Sequence, residues 1–183
     1  MRDAIRSYNT CAGYSYNSGG GRRALGAAEA PAGPYDDQLA FTRDAGALAE
    51  SLLAEGYTAM KIWPFDPYAA ATGGQMISLA DLKAGLEPFR KIRAAVGDRI
   101  EVMAELHSLW SAPAAARICQ ALEEFGVSWA EDPIGKMDEF GALADLRRRT
   151  RTPVCGSETL GGAATYRRML AADAVDVVML DLA

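Results

Sequence analysis

IEVMAELH, residues 100–107, ends on the single histidine of a 183-residue chain. Its even positions, Ile100, Val102, Ala104 and Leu106, are all apolar. Its odd positions, Glu101, Met103, Glu105 and His107, are mostly polar. Successive side chains of a strand point to opposite faces, so this alternation predicts a strand with two unlike faces. The apolar face packs on covering helices, and Glu105 and His107 share the other face at the C-terminal end.

Around this stretch the chain alternates strand and helix. Predicted strands cover 4–11 (AIRSYNTC), 57–63 (YTAMKIW), 100–107, 127–132 (VSWAED), 152–158 (TPVCGSE) and 175–183 (VDVVMLDLA). Between them lie helical patterns over 36–55, 78–97, 111–126, 138–149 and 164–173, several closed by a glycine or opened by a serine. Six strands with five intervening helices, each unit about 25 residues, predict parallel βαβ units.

Two architectures fit such units: an open doubly wound sheet and a (β/α) TIM-type barrel. Lys61, Glu105, Glu131, Glu158 and Asp181 fall at or near the C-terminal ends of successive predicted strands. A barrel brings those ends to one mouth, whereas an open sheet spreads them along an edge. The barrel is therefore preferred. A closed one needs eight strands and about 250 residues, so the expectation is a modified, incomplete barrel filling 1–183, without its last strands.

Composition narrows the function. A net charge of -5 argues against a surface that tracks nucleic-acid phosphates. Arg147, Arg148 and Arg149 suit the last turn of a helix, where cations meet the negative end of the dipole. Cys11, Cys119 and Cys155 are odd in number and form no CxxC, so a reducing cytoplasm is expected. No apolar stretch reaches membrane-spanning length, and MRDAIRSYNT lacks a signal-peptide core, so no membrane partner is expected.

Period-two alternation puts Lys61 and Trp63 inward on the second predicted strand and Trp129 and Glu131 on the fourth. Gly156 and Glu158 point inward on the fifth, and Met179 and Asp181 on the sixth. Glu105, Glu131 and Glu158, spaced 26 and 27 residues apart, then converge. Three carboxylates in a partly buried mouth need a compensating cation, and hard oxygen donors favour Mg2+.

The Gly-Tyr-Thr-Ala-Met-Lys run to Lys61, Glu105, the WAEDP segment with Glu131, the CGSE segment with Glu158, and Asp181 resemble one known pattern. It is the barrel domain of the enolase superfamily, in its mandelate racemase/muconate-lactonizing branch. The resemblance covers residues 4–183. It implies a Mg2+ site at Glu105, Glu131 and Glu158, abstraction of a proton α to a carboxylate, and a metal-stabilised enediolate. It also implies a small-molecule sugar acid or hydroxy acid as substrate, a homo-oligomer at full length, and a capping domain before the barrel that this chain lacks.

In sugar-acid dehydratases of that branch, a carboxylate-x-His pair on the third strand supplies a metal ligand and a general acid. That reading gives His107 the proton for the departing β-hydroxyl, a task suited to imidazole. A racemase or epimerase on the same site is the alternative, as is an inactive truncated chain.

Three departures from the pattern stand out. Glu105 replaces the usual Asp. Trp63 stands where a second lysine often serves as base, either packing the mouth or walling the substrate pocket. Asp181 matches the aspartate of an Asp–His dyad whose histidine belongs to a later strand. In the glycine-rich loop after the first predicted strand, Arg22 is a candidate for a substrate carboxylate or a plain surface residue.

Overall fold

The computed structural model describes residues 3–13 and 36–180; Arg22 and Asp181 lie outside them. Five parallel strands form one sheet: β1 (Ala59–Ile62), β2 (Glu101–Glu105), β3 (Ala130–Glu131), β4 (Val154–Gly156) and β5 (Val177–Val178). Their spatial order is their sequence order, β1-β2-β3-β4-β5. A doubly wound sheet reverses order at its switch point. This one does not, and the arrangement is the arc of an incomplete (β/α) barrel, as expected.

The helices are α1 (Asp37–Ala54), α2 (Asp66–Ala69), α3 (Leu79–Val96), α4 (Ala112–Leu122), α5 (Phe140–Arg149) and α6 (Ala163–Ala171), with 3-10 turns at Ala70–Thr72 and Glu123–Phe125. Local chemistry sets their ends. Asp36 accepts a hydrogen bond from Leu39 N at the start of α1, and Ser78 does so from Asp81 N at the start of α3. Helix α4 buries Ala115, Ile118, Cys119 and Leu122, one stripe at helical spacing. Arg147, Arg148 and Arg149 occupy the last turn of α5. The three cysteines are buried thiols.

Several expectations need correction. Residues 4–11 form no strand; only Asn9 pairs, in a single parallel bridge to Met60. The physical reason is exposure: Ile5 is 88 % exposed, so the segment gains little apolar burial by lying along β1. The described sheet thus has five strands rather than six. Six helices rather than five stand among the described residues, because one turn of helix, α2, lies in what read as loop. The strands are also shorter than their apolar runs.

The register overturns one face assignment. Glu105 pairs with Glu131, Glu131 with Cys155, and Cys155 with Val177. Partners in register point the same way, so Cys155, not Gly156, lies on the inner face of β4. Gly156 sits on the helix side, where an added methyl would meet Met137, Asp132 Oδ1 and Val175. A slip of one residue exchanges the faces of a strand.

Candidate active site

The inner face of the arc gathers charge. Lys61, on β1, is 6 % exposed, and Glu105 and Glu131, at the ends of β2 and β3, are each 1 % exposed. Lys61 Nζ donates to Glu105 Oε2 at 2.9 Å and to Glu131 Oε1 at 2.5 Å. The other oxygen of each carboxylate is engaged as well. Glu105 Oε1 accepts from the amides of Leu106 (3.1 Å) and His107 (2.9 Å), and Glu131 Oε2 from Trp129 Nε1 (2.9 Å). Tyr8 closes the floor: Lys61 Nζ lies 5.6 Å from its ring centroid, and Trp129 meets it edge-on. The segment before β1 therefore serves the site although it is not a strand.

Asp132 is an addition that sequence reasoning missed. It is fully buried, with φ +42°, directly after Glu131. Its Oδ2 accepts from Ser157 Oγ at 3.1 Å, while Oδ1 has no hydrogen-bond partner among the described residues. The only sequence signal was a second carboxylate before Pro133, which reads as an ordinary turn.

Glu105 and Glu131 thus share one ammonium in a buried space with Asp132 close by, and the proton affinities of Glu131 and Asp132 show the strain. Burial, then the charge of Glu105, pushes Asp132 up to about 7. Burial and then Glu105 also push Glu131 up, against the pull of Lys61. For Lys61, burial acts downward, but the two carboxylates reverse it and hold the amine well above its ordinary value. Cys155, beside them, is pushed up by burial and then by Glu131 and Asp132.

Glu105 and Glu131 supply hard oxygen donors that share one ammonium, the chemistry that suits a divalent cation, and a third ligand is needed to complete a set.

The expected convergence of three glutamates is met by two. Glu158 is exposed on the loop after β4, although its charge still acts on Asp132. No group of three or more His, Cys, Asp or Glu among the described residues is gathered closely enough to hold a metal. The strand that was to carry it inward stops at Gly156, and Glu158 lies beyond it in a turn, where strand alternation no longer sets its direction.

His107 departs from the simple strand reading too. Strand β2 ends at Glu105, and His107 and Ser108 have φ +49° and +55°, so the chain turns there. The imidazole reaches back to the loop after β1, where Nδ1 lies 2.7 Å from Asp66 Oδ2. Its ring meets that of Trp63 edge-on at 5.6 Å, and Trp63 packs on Phe41 at 5.4 Å. Trp63 is 3 % exposed, so it touches the site chiefly through His107.

A parallel, sequentially ordered βα arc with acidic residues at its strand ends defines the class: a (β/α)-barrel domain of the kind found in enolases. Residues 44–183 match the family described as "Enolase C-terminal domain-like", and the chain belongs to that family. Its structural neighbours lie in the mandelate racemase/muconate-lactonizing branch. One, a mandelate racemase/muconate lactonizing enzyme-like protein from a Roseovarius species, is 30% identical with a TM-score of 0.77, over 98% of this chain and 41% of that one. An enolase protein from the Sargasso Sea environmental genome is 68% identical with a TM-score of 0.76, over 78% of this chain and 38% of the other. Among curated relatives, the D-gluconate/D-galactonate dehydratase of Picrophilus torridus is 31% identical over 134 residues, 73% of this chain and 33% of that protein. The chain thus spans about a third of that relative. No helix among the described residues is long and apolar enough to cross a membrane.

Proposed function

We propose that this chain carries the metal-holding half of a Mg2+-dependent sugar-acid dehydratase site. Glu105 and Glu131 would hold the cation, and Glu158 would complete the set from the loop after β4. The cation would supply positive charge where a proton is lost from the carbon α to a substrate carboxylate.

The chain's own residues divide the remaining work. Lys61 holds the two buried carboxylates together and faces the substrate carboxylate. His107 gives a proton to the β-hydroxyl as its bond to carbon breaks, so that the group departs as water. The product enol then rearranges to a 2-keto-3-deoxy acid. Asp181 would serve the base side of the reaction and Arg22 a substrate carboxylate. Trp63 would shape the pocket through its packing on His107. The substrate is a small sugar acid, the setting cytoplasmic, and the full-length protein a homo-oligomer.

One observation carries this reading: the single imidazole stands two residues beyond a buried carboxylate that is paired with a second one across β2 and β3. The dehydratase among the relatives supports it. Epimerisation of a hydroxy acid on the same groups is the second reading, because proton loss and return needs the same α-carbon chemistry. The test is product analysis after incubating the chain with Mg2+ and gluconate or galactonate. A 2-keto-3-deoxy acid that disappears with His107→Asn is expected. An inverted α-carbon without loss of water would replace dehydration by epimerisation.

A further inference from the structure

We propose that Asp66 is a positioning residue for His107, locking the imidazole so that it exchanges protons through Nε2 alone; this rests on the reading of His107 as the proton donor. A carboxylate only accepts hydrogen bonds when ionised, so the 2.7 Å contact between Asp66 Oδ2 and His107 Nδ1 places a hydrogen on Nδ1. Which nitrogen of an imidazole carries the proton is set by the hydrogen bond that the other makes. With Nδ1 committed, any proton that His107 gives or takes passes through Nε2.

The loop that delivers Asp66 is built to hold still. It reads Trp63-Pro64-Phe65-Asp66-Pro67, with a proline on either side fixing the backbone. Phe65 is fully buried and stacks on Phe89 of α3, while Gly85 of α3 leaves room for its ring. Tyr68 N donates to Phe65 O at 3.0 Å, closing the turn that begins α2. On the other side of the imidazole, Trp63 sets the ring plane by its edge-on contact at 74°. The register Ile62↔Ala104 carries Trp63 to the level of Glu105, where a second lysine would have stood. An indole there packs on the imidazole instead of bringing another cation to it.

Asp66 is also poorly explained as a merely structural acid. Its side chain is 17% exposed, yet Oδ1 is buried and has no hydrogen-bond partner among the described residues. A buried oxygen without a partner calls for an explanation, and a role toward His107 supplies one.

Because His107 is the only histidine, its ring nitrogens can be read without assignment in the uniformly 15N-labelled chain. A long-range 1H–15N correlation, recorded at alkaline pH where the spectrum no longer changes with pH, reports the neutral tautomer. The expected pattern is a pyrrole-like Nδ1 and a pyridine-like Nε2. In Asp66→Ala it should move toward the Nε2–H form that free imidazole favours, and kcat should fall roughly tenfold to a hundredfold with KM little changed. Asp66→Asn, whose amide oxygen accepts the same hydrogen bond, should restore the pattern and most of kcat.

An Nε2–H pattern in the wild type overturns the proposal, and needs no variant to fold. So does Asp66→Ala with an unchanged nitrogen pattern, or with a changed pattern and full kcat. His107→Asn judges the underlying reading separately: full dehydration in that variant removes the proton-donor role, whatever the nitrogen pattern.

Discussion

Glu105 stands directly opposite Glu131 in the β2–β3 register, and the two buried carboxylates are joined through one ammonium, Lys61 Nζ, at 2.9 and 2.5 Å. Like charges so placed repel, and the lysine is what makes the arrangement tolerable in the absence of a further cation.

Lys61→Met is therefore expected to destabilise the chain strongly. Removing one partner of a buried ion pair leaves an uncompensated charge and costs about 3–5 kcal/mol. Urea denaturation at pH 8 measures it. The loss should shrink at pH 5, because Glu131, whose proton affinity is already raised by burial and by Glu105, takes up a proton as the pH falls. Equal loss at both pH values would mean that the lysine acts through packing.

Asp132→Asn should stabilise the metal-free chain. The folded carboxyl titrates near 7, well above its ordinary 3.8, so the penalty for ionising it is absent below pH 4. The penalty builds as the pH rises from about 4 to 7 and is complete above that. The interval from 3.8 to about 7 bounds the gain at about 4 kcal/mol at pH 8, falling toward zero near pH 4. Melting curves across that range check both the size and the sign.

Mg2+ should raise the melting temperature of the wild-type chain, since a ligand that binds only the folded state stabilises it. The gain is about 2.7 kcal/mol at a hundred times the dissociation constant. Glu131→Gln should abolish the shift and Glu158→Gln reduce it. A Mg2+ shift indifferent to both substitutions would place the cation elsewhere.

Phe65→Ala is expected to cost about 3–5 kcal/mol, the usual range for emptying a buried aromatic site. Because Phe65 anchors the loop carrying Asp66, the variant should also loosen His107. The observable is a loss of the single-tautomer 15N pattern at temperatures where the chain is still folded.

Much of the architecture was legible in the residues. Alternation in IEVMAELH, helical spacing such as 115/118/119/122, and serine, aspartate and glycine at helix ends are local signals, and each strand and helix that they marked from residue 36 onward exists. The acidic residues at successive strand ends also distinguished a barrel arc from an open sheet. Lys61, Glu105 and Glu131 came together as their spacing implied.

Residues 4–11 had the composition of a strand but lacked the burial that makes one. Local pattern speaks to which face of a segment is apolar, not to whether a neighbour covers it.

The sequence by itself determined the order of elements, the all-parallel arc and the acidic strand ends, because those depend on periodicities of a few residues. Only the tertiary structure decided which face of β4 looks inward, that Glu158 stands apart from Glu105 and Glu131, and that Asp132 is buried beside them. It alone turned His107 toward Asp66, across 41 residues of chain. Register and loop packing arise between segments distant in sequence, and a shift of one residue in either redirects every side chain that follows.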